Sequence, residues 1–333
     1  MDSEVKDLKN TTHPHWQALP SQAVQRELMR LDSSYQDFFD KKGGKPKRKP
    51  RHKFKSITFP GTSGWKIDED YMPEHIGRIR ITLREWSDQK QKWVRKPVWF
   101  SFFKHRHYYG NICTITIKRD KCGDYWLCIT TDFIDSKPMP ATGENVGADF
   151  GLKDAFLTLN TSEKIQSPQY LKQALAKLRY LNKSLSRKIK GSGNWWRIVR
   201  AIARLYSRIT NQRLDWHWKT AHDLCKRFDN ICIEDLNLRG MQRLWGRKIS
   251  DVSFGQFVRI LEYKCSKHSR QLLKAGRWTA TTKPCSECGY KNKTLTLADR
   301  SWICPECSTQ HDRDINAAKN ILQACLGASV EQT

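Results

Sequence analysis

Two cysteine pairs near the end of the chain limit its fold more than any other feature. Cys285 and Cys288 enclose two residues, Cys304 and Cys307 do the same, and fifteen residues separate the pairs. Four thiolates at this spacing are typical of a tetrahedral zinc site, which is structural because no coordination position stays open for water. A disulfide framework is the alternative, but eleven cysteines is an odd number and the sequence begins with no secretory signal. We therefore expect a zinc ribbon over residues 281–310, in which a hairpin between the two pairs, with Leu295, Leu297 and Trp302, covers the metal.

Three carboxylates in the second half of the chain stand where predicted elements end or begin. Asp149 lies in the short strand pattern Val146–Gly151, Glu234 is the first of two acids near the end of the apolar run Asn230–Leu236, and Asp314 begins a helix. Ligands bind at the carboxyl ends of parallel strands, so these acids can converge on a common metal. Singly each is unspecific, because an Asp at a helix start is usually an N-cap and a Glu at a strand end is usually exposed. Their order along a β-β-β-α-β-α-β-α progression predicts an RNase H-like nuclease holding two Mg²⁺ (or Mn²⁺) ions.

Two neighbouring acids are easily confused with these candidate ligands. Asp235 should point to the opposite side of its strand from Glu234, while Asp312 lies ahead of the helix that Asp314 begins. That helix also carries the small residues Ala317 and Ala318, which would allow close packing against a sheet.

The charge balance indicates the partner. Sixty Lys and Arg against 34 Asp and Glu leave a formal charge of +26, which suits a polyanion and makes nucleic acid the leading partner. An anionic membrane surface would also attract this charge, but no apolar run approaches the roughly 20 residues of a spanning helix. We expect a cytoplasmic, nucleoid-associated protein of prokaryotic type with no membrane partner.

Basic residues concentrate in a linker and in two helices. The segment 41–55 holds nine Lys or Arg, and two long helices with a turn at Gly191–Asn194 follow strands predicted at 145–151, 155–159 and 164–167. Leu171 to Ile189 supply the apolar stripe of the first helix, and Val199 to Ile209 supply that of the second. A solvated tail and a solvated face are the alternatives, but no acid occurs from Asn182 to Gln212 to balance the second helix. The candidate phosphate contacts are Lys47, Arg48, Lys49, Arg51, Arg187, Lys188, Arg197, Arg200, Arg204 and Arg208.

The first half of the chain predicts one helix and a small antiparallel β domain. Apolar residues recur at helical spacing from Val24 to Phe38, after a helix start at Pro20 and Ser21. Short alternating runs between residues 56 and 132 predict a β barrel whose aromatic residues either fill its core or stack on bases. The Pro- and Gly-rich segment 135–144 marks a domain boundary.

The segments around the three acids resemble the transposon-encoded TnpB family, which are compact RNA-guided nucleases related to type V CRISPR effectors. Val146-Gly-Ala-Asp-Phe-Gly-Leu-Lys-Asp154 resembles RuvC motif I, Ile233-Glu-Asp-Leu-Asn-Leu-Arg-Gly-Met241 motif II, and Asp312-Arg-Asp-Ile-Asn-Ala-Ala-Lys-Asn-Ile321 motif III. The cysteine pairs lie between the last two motifs, as in the family. The similarity covers the chain from near Trp16 to Leu326.

The resemblance implies that Asp149, Glu234 and Asp314 are catalytic Mg²⁺ ligands and that the four cysteines hold structural Zn²⁺. It implies a multidomain α+β and α/β fold: a RuvC-type, RNase H-like nuclease domain with an inserted Cys₄ zinc ribbon, after a β-barrel wedge domain and a helical recognition segment. The expected limits are 1–55 for the recognition helix and basic linker, 56–140 for the wedge, 141–280 and 311–333 for the nuclease, and 281–310 for the ribbon.

The resemblance also implies RNA-guided cleavage of double-stranded DNA beside a short transposon-associated motif, with a guide RNA transcribed from the end of the transposon. An RNA-guided DNA-binding regulator that does not cut is the main alternative, and a DNA-strand transferase of the same fold is another. Family members usually begin with a further strand and helix ahead of the segment that starts here near Trp16. We therefore expect a shortened N-terminus and a wedge without one edge strand; the alternatives are a misplaced start codon and replacement of the missing elements by Met1–His15.

Overall fold

The computed structural model forms two compact units, Met1–Ile134 and Asp135–Thr333. The described residues are 2–50, 53–61, 64–68, 75–151, 155–235, 246, 251–276, 279–296 and 298–330. The division between the two units falls at the start of the Pro- and Gly-rich segment 135–144. The narrower domain limits expected from the sequence stay predictions. Within the described ranges, no helix combines the length and the apolar character needed to cross a membrane.

The first unit combines helices with two three-stranded antiparallel sheets. Helix α1 spans Asp2–Asn10, a 3₁₀ turn spans Pro14–Ala18, and α2 spans Ser21–Phe39. The strands pair in the orders β1-β5-β6 and β2-β3-β4. Their bounds are β1 Ser56–Pro60, β2 Trp65–Asp68, β3 Ile76–Ser87, β4 Lys92–Phe103, β5 Ile112–Arg119 and β6 Tyr125–Thr131.

Alternation along the strands creates the core of the first unit. Ile79 and Ile81 of β3 and Ile115 of β5 are buried, and Ala23 of α2 packs in the same cluster. The helix and the antiparallel sheet predicted from the sequence are therefore confirmed. Among the described strands the pairing forms two separate sheets, so the closed barrel stays a prediction.

The second unit is built on a mixed five-stranded sheet in the order β11-β10-β7-β8-β9. Strand β10 is parallel to β7 and to β11, whereas β8 and β9 are antiparallel. The three successive strands predicted from the sequence are present but shorter at their ends. The bounds are β7 Asn145–Phe150, β8 Leu157–Leu159, β9 Lys164–Ile165, β10 Asn230–Glu234 and β11 Gln271–Ala275.

Helices cover both faces of this sheet. The helices are α3 Tyr170–Ser186, α4 Gly193–Arg227, α5 Phe254–His268 and α6 Arg313–Val330. Ile231 and Ile233 of β10 belong to a core cluster with α4 and α5, whereas Cys232 between them packs with Ile321 and Cys325 of α6. Because successive strand residues point to opposite faces, α6 covers the face opposite to α4 and α5.

The two basic helices differ from the prediction in their limits. Helix α3 ends at Ser186, and Ile189, which we assigned to its apolar stripe, is 83% exposed. The assignment of Ile189 was wrong because periodicity does not detect where a helix ends, and the chain turns here through Gly191 at φ +89°. Helix α4 runs on to Arg227, and the Ser192 side chain caps its start by accepting a hydrogen bond from the Trp195 amide.

Candidate functional site

The sheet brings two of the three candidate carboxylates side by side. In the parallel register Ile233 of β10 lies opposite Ala148 of β7, so the next residues along these strands, Glu234 and Asp149, are neighbours. Both acids share the alternation of Cys232, whose side chain packs on the α6 face. Asp149 and Glu234 therefore emerge at the carboxyl ends of adjacent strands on the side that α6 covers.

Close packing of α6 on β7 brings Asp314 to the same end of the sheet. A Cβ atom added at Gly147 would lie 2.1 Å from the Ala318 carbonyl oxygen and 2.9 Å from Leu322 Cβ. Asp314 precedes Ala318 by one helical turn and Asp149 follows Gly147 on the same strand face, steps of about 6 Å in each case. The small residues of α6 that the sequence indicated, Ala317 and Ala318, are buried as expected.

Electrostatics show that the three acids act on one another. Burial, the charge of Glu234 and the charge of Asp314 together raise the pKa of Asp149 well above its ordinary value. Asp314 is balanced by arginines, with Arg313 Nη2 at 2.9 Å from Oδ1 and Arg300 Nη1 at 3.6 Å from Oδ2. Among the described residues, the clusters of three or more possible metal ligands with all ligand atoms within 4.8 Å of one another do not include these three acids.

Asp312 has the capping role that was the alternative for Asp314. Its Oδ1 accepts hydrogen bonds from the amides of Asp314 and Ile315 at 3.0 and 3.2 Å, and its Oδ2 lies 2.7 Å from Lys164 Nζ. Asp312 is thus the N-cap of α6, and Asp314 is left to face the other acids. The opposite orientation expected for Asp235 stays a prediction.

The donor set fits a divalent cation. Three carboxylates supply the hard oxygen atoms that Mg²⁺ and Mn²⁺ prefer. Burial and the negative charges of Glu234 and Asp314 raise the pKa of Asp149, and a bound cation would relieve the charge repulsion. The Leu152–Asp154 part of motif I and the Leu236–Met241 part of motif II lie outside the described residues.

Sequence reasoning missed three residues that contact the carboxylates: Arg300 and Arg313 beside Asp314, and Thr281 beside Glu234. The Thr281 hydroxyl donates a hydrogen bond to Glu234 Oε1, and Thr281 is buried. A threonine in a polar loop has no distinctive pattern, and the contact joins residues far apart in sequence. The sequence does show two asparagines four residues apart on α6, Asn316 and Asn320. Both are buried in the structure, and buried polar groups need hydrogen-bond partners. This spacing was the available signal for a contact with the loop that contains Thr281.

The four predicted cysteines converge. Their Sγ atoms all lie within 4.8 Å of one another, with 3.6 Å from Cys285 to Cys307 and 3.6 Å from Cys288 to Cys304. Tetrahedral zinc with Zn–S distances of about 2.3 Å requires sulfur atoms about 3.8 Å apart. The thiol set therefore fits a single Zn²⁺ ion. Hydrogen bonds with Thr309 lower the pKa of Cys307 to about 6.

Each cysteine pair belongs to a similar tight turn. The Gly289 amide bonds to the Cys285 carbonyl and the Ser308 amide to the Cys304 carbonyl, both at 2.9 Å. Gly289 and Ser308 have positive φ angles of 78° and 57°. We call residues 281–312 the four-cysteine module.

The module contains a β-hairpin whose turn is formed by the second cysteine pair, Cys304 and Cys307. Strands β12 (Ser301–Ile303) and β13 (Gln310–Asp312) pair across Cys304 and Cys307, not between the two cysteine pairs as the sequence suggested. The prediction was wrong on this point because a hairpin needs a tight turn, which the second pair itself provides. Leu295 and Trp302 pack with Cys285 and Cys304 as expected, whereas Leu297 lies outside the described residues.

The candidate phosphate contacts lie on exposed surfaces where they are described. Lys47, Arg48 and Lys49 are exposed in a segment without helix or strand, and Arg187 and Lys188 are exposed after α3. The α4 residues Arg197, Arg200, Arg204 and Arg208 are exposed, and their spacing places them on one side of the helix. Arg51 lies outside the described residues.

Two family models match consecutive parts of the chain. Residues 128–244 match the OrfB_IS605 family, described as "Probable transposase", and residues 254–321 match the "Cas12f1-like, TNB domain" family. The first match contains Asp149 and Glu234, and the second contains Asp314 and the four cysteines.

Relatives with related names align over much of the chain. "Putative RNA-guided DNA endonuclease" of Streptomyces pristinaespiralis is 37% identical over 218 residues, 65% of this chain and 54% of that protein. "Putative RNA-guided DNA endonuclease InsQ" of Escherichia coli K12 is 28% identical over 347 residues, 97% of this chain and 79% of that protein. "TnpB-like protein L79" of Acanthamoeba polyphaga mimivirus is 32% identical over 291 residues, 77% of this chain and 54% of that protein. The chain spans about half the length of the first and third of these relatives.

A solved structure shares the fold. The cryo-EM structure of the Cas12f1-sgRNA-target DNA complex matches with a TM-score of 0.61 and 16% identity, covering 96% of this chain and 75% of that chain. At this identity the likeness concerns the fold alone. The family models, the relatives and the motifs around the three acids agree, and the chain belongs to the TnpB family.

Proposed function

We propose that this protein is an RNA-guided, Mg²⁺-dependent DNA endonuclease encoded by a transposon. The observation that carries the proposal is the meeting of Asp149, Glu234 and Asp314 at one end of the sheet, where Glu234 and Asp314 raise the pKa of Asp149. A cation bound among the three acids would relieve this repulsion. Two relatives carry the name "Putative RNA-guided DNA endonuclease", which supports the same activity.

Each of the three carboxylates is positioned by a different element of the fold. Asp149 is fixed by β7, Glu234 by the end of β10 and by the Thr281 hydroxyl, and Asp314 by the first turn of α6. Two bound Mg²⁺ (or Mn²⁺) ions would supply an activated water and stabilisation of the leaving oxygen for phosphodiester hydrolysis. Arg313 and Arg300, now beside Asp314, are suited to neutralise a scissile phosphate once the acid has a metal partner.

The positive surfaces would hold the nucleic acid. We propose that the α4 arginines and the basic segments at Lys47–Lys49 and Arg187–Lys188 contact the phosphates of a guide RNA and of its duplex with target DNA. Sequence choice would then rest on base pairing, with the guide transcribed from the transposon end. The four-cysteine module would hold a structural Zn²⁺ ion.

Cleavage by the purified complex tests this function. The protein is purified with its RNA, the RNA is sequenced, and a plasmid carrying the matching target is incubated with the complex and Mg²⁺. We expect guide-dependent cutting that Asp149→Ala abolishes while RNA affinity is retained. Asp223→Ala is the matched control, since Asp223 is an exposed acid paired with Arg227 on α4, and it should cut like the wild type. Cutting by Asp149→Ala would refute the assignment of the site.

An RNA-guided DNA-binding regulator is the second candidate. A relative of Pelobacter propionicus named "CRISPR-associated DNA-binding protein Cas12m" is 24% identical over 143 residues, 39% of this chain. The arginines beside Asp314 also offer a way to neutralise the acid without a metal. Tight guide-dependent binding of the target with no cutting in Mg²⁺ or Mn²⁺ would favour this function.

A further inference from the structure

We infer that Thr281 is a positioning residue for Glu234 and that α6 holds Thr281 in place through two buried asparagines. The inference rests on the proposed function, because it concerns the geometry of the same carboxylate site. It concerns a residue that none of the sequence motifs includes and that lies within the four-cysteine module.

The Thr281 hydroxyl restrains the side chain of Glu234. Glu234 is the last residue of β10 and is partly exposed, and a glutamate has three side-chain torsions. Its Oε1 accepts the hydrogen bond of Thr281, which leaves Oε2 available to a metal. Partners of this kind orient ligating carboxylates, and their loss typically costs 10–100-fold in metal affinity or activity, as an order of magnitude.

Helix α6 fixes the backbone of Thr281. Asn320 Nδ2 donates to the Thr281 carbonyl at 2.7 Å and to the Pro284 carbonyl at 2.8 Å. Asn316 Nδ2 donates to the same Pro284 carbonyl at 2.8 Å, while Asn316 Oδ1 accepts from the Ser286 amide at 2.9 Å. Asn316 is 1% exposed and Asn320 is 8% exposed, so these bonds are shielded from water.

All three carboxylates are thereby positioned from one helix. Asp314 belongs to α6, Asp149 lies on the strand that α6 contacts at Gly147, and Glu234 is reached through Asn320 and Thr281. The chain passes from Thr281 directly to Cys285, whose turn Asn316 binds through Ser286. Thr281 therefore connects the cysteine site with the carboxylate site.

The alternative is that the Thr281 hydroxyl only satisfies a hydrogen bond needed for folding. Thr281→Val removes the hydroxyl at nearly constant shape, and Thr281→Ser retains it. Thr220→Val makes the same change at a buried threonine of α4 and is the control for removing a buried hydroxyl. A purely structural role predicts that Thr281→Val lowers the melting temperature without changing metal affinity.

The experiment measures Mn²⁺ affinity of the full-length, RNA-free protein by electron paramagnetic resonance, with Asp149→Ala as the blank. Cleavage rates against Mg²⁺ concentration are measured in parallel. We expect Thr281→Val to weaken Mn²⁺ binding roughly 10–100-fold, with Thr281→Ser within about threefold of the wild type and Thr220→Val unchanged. Equal Mn²⁺ affinity of Thr281→Val and the wild type overturns the inference. If the wild type binds Mn²⁺ but cuts no DNA, the proposed function fails while the affinities still decide the role of Thr281.

Discussion

Replacing Gly147 with alanine should reduce DNA cutting without weakening guide RNA binding. The added Cβ would lie 2.1 Å from the Ala318 carbonyl oxygen, whereas ordinary contact begins at 3.4 Å. The neighbours of this Cβ are the backbone of α6 and Leu322, with Leu322 N at 2.9 Å, so rotating a side chain cannot relieve the overlap. Helix α6 must therefore move away from β7 by about 1 Å, and Asp314 must move with it.

The expected losses follow from this displacement. A misplacement of about 1 Å costs about 100-fold in rate, so the cleavage rate at saturating target should fall by about that factor. Overpacking a core costs about 1–3 kcal/mol, which corresponds to a fall in melting temperature of roughly 2–12 °C for a unit of this size. Guide RNA affinity should stay unchanged, since Gly147 is buried in the sheet.

The assay compares Gly147→Ala with Gly193→Ala. Gly193 begins α4 and has no atom within 4 Å of an added Cβ, so its replacement should leave cutting and stability unchanged. Both variants are measured for plasmid cleavage, guide RNA affinity and thermal unfolding. Wild-type cleavage and an unchanged melting temperature in Gly147→Ala would refute the packing of α6 on β7.

Three further changes test other parts of the molecule. Replacing the four α4 arginines with glutamine should lower the slope of log affinity against log salt concentration for duplex binding by about 3.6. The ratio of wild-type to variant affinity should therefore fall roughly 150-fold between 50 and 200 mM salt. Lysine replacements should keep the wild-type slope. Cys304→Ser should abolish the one Zn²⁺ per chain that elemental analysis is expected to find, and retained zinc would contradict the Cys₄ assignment. Burial lowers the pKa of His217 to about 4, so only the unfolded state gains this proton as pH falls from about 6.5 to 4. Over this pH range the free energy of unfolding of the wild type, measured by chemical denaturation, should fall by about 3 kcal/mol relative to that of His217→Phe. If the two proteins show the same dependence of unfolding free energy on pH, the role assigned to His217 is refuted.

The sequence predicted the features that local patterns determine. The cysteine pairs and the strands bearing Asp149 and Glu234 were recognisable because spacing and alternation reflect backbone geometry. The end of α3 before Ile189 was not, since an apolar residue keeps the period even where the helix has ended. Thr281 was not recognisable either, because its role comes from a contact with Glu234, 47 residues away. Long-range hydrogen bonds of this kind are set by tertiary packing.

The position of the four-cysteine module in the chain has a physical consequence for the carboxylates. Strand β13 of the module continues without a loop into α6, and the Arg313 amide bonds to the Arg300 carbonyl at 2.9 Å. Asp312, the last residue of β13, caps the helix. The fold of the module therefore determines where α6 begins and how its first turn, with Asp314, is held. Asn320 hydrogen-bonds Thr281 to the same helix. A change in the structure of the cysteine site would therefore shift the positions of both Asp314 and Glu234.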